Sequence, residues 1–282
     1  MLTTQNNVTL AMQDHSHTNG QTYRGQIVLV HGLGEHMGRY QHVIQHLNDG
    51  GFAVRTYDQY GHGLSSGKRG CLPSENRLLD DLALVIDDTR KHMAAHNHTN
   101  VPLTHTPLIL LGHSMGGLVV ARFVSLNLRP VDALVLSSPA LGAKLKSIDK
   151  LLLAILPTVA PNLAVANGLD ANKISHNPEV VKAYLADPLI HNKISPRLGK
   201  WIMDNGAATL QLASTWSVPT LLMYAGQDKL VDPAASLRFT GLAPQSLLQS
   251  TCYEDLYHEI FNEVDSKPVF EELRAWLDSR FF

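Results

Sequence analysis

A chain of 282 residues, 44 % hydrophobic and 17 % charged, is long enough to bury a large core. A formal net charge of −2 lacks the basic field that nucleic-acid binding needs, so no nucleic-acid partner is expected. The two cysteines, Cys71 and Cys252, stand far apart in no metal-type spacing and read as free thiols.

The opening stretch, "MLTTQNNVTLAMQD", has no basic region and no apolar core, so no secretory signal is expected. Short apolar runs rich in Val, Ile and Leu then recur along the chain: "QIVLVHG" (26–32), "FAVRTYD" (52–58), "PLILLGH" (107–113), "DALVLSSP" (132–139), "PTLLMYAG" (219–226) and "LLQSTCYE" (247–254). Hydrophobicity that is continuous rather than alternating suits strands covered on both faces, as in a parallel sheet. Helix-period segments lie between and after them. "RYQHVIQHLNDGG" ends on glycines, a helix stop signal. "ENRLLDDLALVIDDTRKHMAAH" places Leu78, Leu79, Leu82, Val85, Ile86 and Met93 on one face, and "SKPVFEELRAWLDSRFF" is an amphipathic close. Strand alternating with helix predicts an α/β fold with a mostly parallel central sheet flanked by helices.

Between residues 142 and 211 the rhythm breaks into helix patterns with no convincing strand, and it resumes at Val218. The expected division is an α/β core of residues 1–141 and 212–282 and an inserted helical cap over 142–211. The cap's apolar stretch "LLLAILPTVA", from Leu151, is broken by Pro157 and falls short of the roughly 20 residues that cross a bilayer. A soluble, cytoplasmic protein is expected. His92 and His96 stand four apart, with His98 close by, but no Glu sits between them and no third ligand is evident, so no metal site is assigned.

"LGHSMGG", residues 111–117, stops a strand-like run, turns around one hydroxyl between glycines, and starts a helix. Gly112-His113-Ser114-Met115-Gly116 fits G-x-S-x-G, the strained elbow that holds a nucleophilic serine clear of its sheet. The serine needs a base and the base needs an orienting acid. "LLMYAGQDKLVD" delivers Asp228 at a strand end, and "TCYEDLYHEIFNE" delivers His258, which completes the chain order Ser114, Asp228, His258. Asp232, in "VDPAAS", reads better as a helix N-cap; Glu254 and Asp255 read as surface charge; Asp58 reads as a loop tie. The oxyanion donors are expected to be the amides of Met115, after the serine, and Leu33, in the loop "HGLG" after an early strand.

"HGLGEHMGRY", "YDQYGHGLSSGKRG", "LLGHSMGGLVV", "SSPAL", "ADPL", "AGQDKLVD" and "YHEIFNE" together resemble the monoacylglycerol lipase and lysophospholipase family of serine α/β-hydrolases over residues 24–281. The resemblance implies an eight-stranded sheet with a helical cap over the serine, and hydrolysis of single-chain fatty-acyl esters without metal or cofactor. It carries Ser114, Asp228 and His258 over as the triad, and Leu33 and Met115 as the oxyanion donors. It also makes Glu35 and Arg39 substrate-binding residues beside the leaving group; a salt bridge that anchors their loop is the alternative reading. The apolar cap suggests an acyl tunnel, and transient contact with a lipid surface.

Rival readings keep the machinery but change the substrate: a lysophospholipase, a broad carboxylesterase, or an aminopeptidase-like amidase, which would want a cluster of cap carboxylates for a substrate amine. Epoxide hydrolases and haloalkane dehalogenases attack with Asp where this chain has Ser114. A non-catalytic binder on the same fold would have lost a triad residue, and none is missing here.

Overall fold

Three short strands open the chain in the computed structural model, which describes residues 1–3, 8–18, 20, 22–95, 106–143 and 155–281. They are β1 (Leu2–Thr3), β2 (Thr9–Leu10) and β3 (Met12–His15). The six apolar runs follow as β4 (Gly25–Val30), β5 (Phe52–Tyr57), β6 (Leu108–His113), β7 (Ala133–Ser137), β10 (Thr220–Ala225) and β11 (Leu248–Tyr253). Between β7 and β10 lie β8 (Val165–Ala166) and β9 (Lys193–Ile194). The helices are α1 (Gln41–Asn48), α2 (Arg77–Ala95), α3 (Met115–Ser125), α4 (Pro178–Ala186), α5 (Pro196–Gln211), α6 (Pro233–Leu242) and α7 (Lys267–Asp278), with a further helical turn at 155–159.

The central sheet runs β11-β10-β7-β6-β4-β5-β3, parallel throughout except that β3 is antiparallel to β5. Every residue of β4, β6, β7 and β10 is buried, which is why these runs carry no polar alternation. Successive side chains of a strand point to opposite faces. Val28 and Val30 therefore join one core with Leu82 and Ile86 of α2 and with Leu118, Val119 and Phe123 of α3. Ile27 and Leu29 join the other, with Val43 and Leu47 of α1 and Leu273 and Trp276 of α7. Each such side chain contributes about 1.5–3 kcal/mol when fully buried. Leu198 and Trp201 of α5 enter the first core, so this helix is seated against the sheet layer.

Two expectations need correction. The resemblance implies eight strands, whereas the described residues form a central sheet of seven. The chain's first strand pairs with β2 in a separate ribbon instead, Leu2 opposite Leu10. The ribbon meets the sheet edge at Ala11, whose N–H donates to Ser65 Oγ and whose carbonyl accepts from Asp58 N, so the ladder is interrupted there. The segment 142–211 also contains a strand pair, β8 with β9, Val165 opposite Ile194. Two residues per strand, with both residues of β8 exposed, leave no period for a sequence pattern to show.

Strand order reverses between β4 and β6. From β4 the chain moves outward to β5; from β6 it moves the other way through β7, β10 and β11. Ligands of open α/β sheets bind at such a switch point, beyond the carboxyl ends of the strands. The loop after Val30 and the turn after His113 both emerge there.

Candidate active site

Ser114 stands between β6 and α3 with φ 55° and ψ −120°. A side chain held in this region costs on the order of 1–3 kcal/mol, so its surroundings must over-determine it. Its N–H donates to Ser137 O (3.0 Å), and its carbonyl accepts from Leu118 N (3.0 Å) and Ala140 N (2.9 Å). The flanking glycines are required by close approach. A Cβ on Gly112 would lie 2.5 Å from Gly116 O, and one on Gly116 would collide with the carbonyls of Val30 and His31.

The three predicted side chains form one hydrogen-bonded chain. His258 Nε2 lies 2.8 Å from Ser114 Oγ, and His258 Nδ1 donates to Asp228 Oδ2 at 2.6 Å. Asp228 Oδ1 accepts the amides of Leu230 (2.8 Å) and Val231 (3.0 Å), which fixes the carboxylate. His258 and Asp228 are only 4 % and 2 % exposed. With Nδ1–H committed to the carboxylate, Nε2 is the acceptor that faces the serine hydroxyl. Burial pushes the imidazole pKa down, but the adjacent Asp228 carboxylate, aided by Glu259 and Glu35, outweighs this and raises it above 6.5. Burial alone would push the Asp228 pKa up, yet the His258 charge, its hydrogen bond and the two amides hold it below 3.8.

The competing acids sit elsewhere. Asp232 caps α6 by accepting from Ala234 N. Asp58 ties loops together, accepting from Met37 N and Leu64 N, both at 2.8 Å. The loop tie and the N-cap are what the sequence predicts for them.

Leu118 makes the first intrahelical bond of α3, so the amide of Met115 precedes the hydrogen-bonded ladder, as helix geometry requires. On the other side, Leu33 follows β4 and lines the cleft beside Ser114. Its loop is held by Glu35, 3 % exposed, whose Oε1 accepts from Gly32 N (2.5 Å) and Tyr40 Oη (2.6 Å). Arg39 Nη1 donates to Glu35 Oε2 (2.7 Å), and the same guanidinium grips Glu259 at 2.6 and 2.8 Å and lies 4.8 Å from the Tyr184 ring centre. Burial would raise the Glu35 pKa, but Arg39 chiefly, with His113, His31 and Tyr40, draws it to about 2. Glu35 lines the cleft, while Arg39 anchors its wall from behind.

The cleft holds about 590 Å³. Ser114 and His258 line it, and the segment between β7 and β10 adds apolar Leu169, Ile174, Leu185 and Ile190 together with polar Asn167, Asn172 and Asn192. That segment is pinned to the first loop: His191 N donates to Gly34 O at 2.8 Å, and His36 Nε2 donates to Asp187 Oδ2 at 2.8 Å.

Sequence reasoning missed His113, Tyr184 and Glu259. His113 is an x of G-x-S-x-G and Glu259 lies inside "YHEIFNE"; both are in quoted motifs, but only the folded loops show what they touch. His113 packs 4.8 Å from His258, ring to ring, and burial with the neighbouring His258 charge lowers its pKa to about 4. This disfavours a second cation beside His258. His96 and His98 lie outside the described residues, and among the described residues no three metal-ligating side chains converge.

The family described as serine aminopeptidase, S33, matches residues 21–265. The chain is 34 % identical over 260 residues to the monoacylglycerol lipase of Mycolicibacterium smegmatis, covering 91 % of this chain and 89 % of that one. It is 34 % identical over 257 residues to phospholipase YtpA of Bacillus subtilis, covering 89 % and 94 %. The crystal structure of the Paleococcus ferrophilus monoacylglycerol lipase superposes with a TM-score of 0.83 at 32 % identity, covering 96 % of this chain and 99 % of that one. A soluble variant of the Saccharomyces cerevisiae monoglyceride lipase, in complex with a substrate analog, has the same fold at 22 % identity, with a TM-score of 0.86 and coverage of 98 % and 93 %. The chain belongs to the serine aminopeptidase S33 family of α/β-hydrolases, together with the monoacylglycerol lipases it resembles over nearly its whole length.

Proposed function

We propose that this protein hydrolyses monoacylglycerols, or similar single-chain fatty-acyl esters, through an acyl-enzyme. The observation that carries the reading is the unbroken Asp228–His258–Ser114 chain, whose Ser114 and His258 line a cleft that also presents Leu169, Ile174, Leu185 and Ile190. His258 Nε2 takes the proton of Ser114 as its Oγ bonds to the ester carbonyl. The Leu33 and Met115 amides donate to the oxyanion, and Asp228 stabilises the imidazolium. The C–O bond to glycerol breaks as His258 returns its proton to the leaving alkoxide. Water, deprotonated by His258, then cleaves the acyl-enzyme and frees the fatty acid. None of these steps calls for a metal or a cofactor.

The acyl chain runs along Leu169, Ile174, Leu185 and Ile190 beneath a cap spanning 142–211. The leaving group meets a polar end of the cleft, lined by Glu35 and Tyr184, where Arg39 holds Glu35 in place. Ile155, Val159, Leu163 and Val165 are exposed on the cap, an apolar rim suited to transient contact with a lipid surface. No helix among the described residues is long and apolar enough to cross a membrane.

The polar end also favours glycerol over an anionic head group. Two carboxylates, Glu35 and Glu259, share one guanidinium there, so a phosphodiester would meet excess negative charge. A substrate amine, which the family's description suggests, would not be repelled by that charge, but it would have to displace Arg39, which bonds both carboxylates directly. Asp187 is likewise paired with His36, whereas the Asp170 carboxylate is exposed and, among the described residues, bonded only to Asn172. Assays on a monoacylglycerol, a lysophosphatidylglycerol, whose head group is anionic, and an aminoacyl p-nitroanilide test this. The expected order is the neutral ester first, the lysophospholipid at least about tenfold lower in kcat/KM, and no measurable anilide cleavage. Anilide turnover equal to the ester's would contradict the reading.

A further inference from the structure

Glu263 is a carboxylate buried to 5 % exposure, outside the reacting groups, and four N–H groups converge on it. Oε1 accepts from Tyr257 N (2.7 Å) and His176 Nδ1 (2.9 Å); Oε2 accepts from His176 N (3.1 Å) and Val264 N (3.2 Å). Two of these donors belong to the chain around His258 and two to the cap edge before α4. The neighbouring Ser175 hydroxyl donates across the same junction to Asn262 O at 2.9 Å.

The loop from the end of β11 to His258 has few bonds of its own. Tyr257 and Glu259 flank the histidine: Tyr257 N donates to Glu263, within the same connection, and Glu259 N donates across to Ile174 O on the cap side at 2.8 Å. The Tyr257 ring stacks on His176, with centroids 3.6 Å apart and planes at 25°. Ile174, one residue from this junction, lines the cleft. Apolar packing could fill this space, but it could not orient backbone N–H groups from two loops at once; a buried carboxylate with two oxygens can.

We propose that Glu263 is a positioning residue for His258, clamping the histidine loop to the cap edge at Ser175 and His176 so that the base reaches the serine hydroxyl. This rests on the reading of His258 as the general base. In Glu263→Gln the amide's NH2 must face N–H groups that the carboxylate accepts, so the loop is released by a fraction of an ångström.

The test compares wild type, Glu263→Gln and His176→Ala on p-nitrophenyl acetate and p-nitrophenyl dodecanoate. Rates are taken per active site, counted by fluorophosphonate labelling carried to completion, which removes unfolded molecules from the comparison. For Glu263→Gln we expect kcat to fall about tenfold on both esters, with KM within about twofold. His176→Ala, at a half-exposed side chain, should shift kcat in the same direction by about threefold. A merely structural Glu263 would leave kcat per active site unchanged, and a role in acyl binding alone would raise KM for the long ester only; either result overturns the proposal. If Glu263→Gln does not fold, the His176→Ala kcat decides on the same criterion. Failure of the underlying catalytic reading is visible separately, as wild-type protein that takes no label at Ser114.

Discussion

Replacing Ser114 with alanine is expected to lower turnover of a p-nitrophenyl acyl ester about 10⁶-fold, close to the loss of all covalent catalysis. The size follows from the site's construction. Ser114 Oγ is the atom that the His258 imidazole addresses, and water in its place would lack the fixed attack geometry. Alanine keeps the backbone at φ 55°, so the turn and its bonds to Ser137 and Ala140 persist and the thermal midpoint should barely move. Substantial remaining activity in a folded S114A would show that another group attacks.

The second large effect is expected at Asp228. Asp228→Asn should reduce turnover about 10⁴-fold, because an amide no longer holds the imidazole with Nδ1 protonated and Nε2 free. The pH dependence carries a further signature. His258 acts as base only when neutral, so kcat/KM falls as pH drops through its pKa. Burial lowers that pKa, but Asp228 chiefly, with Glu259 and Glu35, brings it above 6.5, so the wild-type acid limb should be centred above 6.5. Without the Asp228 charge, burial of the imidazole is less opposed, and the limb should move to lower pH. Neutral His113, the other ring packed on His258, titrates too low to blur the limb. An unchanged limb in Asp228→Asn would remove Asp228 from its assigned place.

Much of this was legible in the sequence, for physical reasons. The six runs became β4 to β7, β10 and β11 with ends within two residues of expectation; strands covered on both faces carry unbroken hydrophobicity, which holds for β4, β6, β7 and β10 but not for the half-buried edge strand β11. The Ser114 turn was legible because Gly112 and Gly116 have no room for a Cβ. β1 to β3 were not legible. Gln13 and Asp14 are exposed on an edge strand, and among the described residues of that stretch only Leu10 and Ala11 are buried. The Glu35–Arg39–Glu259 arrangement joins residues 220 positions apart, so no local pattern could reveal it. Glu35 and Arg39 were named on resemblance with two readings open. The loop-anchoring bonds are now on view, with Glu35 alone of the two lining the cleft.

The central claim is that Ser114 is made nucleophilic by His258 and Asp228 across 2.8 and 2.6 Å hydrogen bonds. Incubating the folded protein with a fluorophosphonate and locating the adduct by peptide mass spectrometry examines it most directly. One phosphonyl group per chain on Ser114, absent from His258→Ala, is the result expected. A folded protein that stays unmodified, or one modified at a different residue, would contradict it.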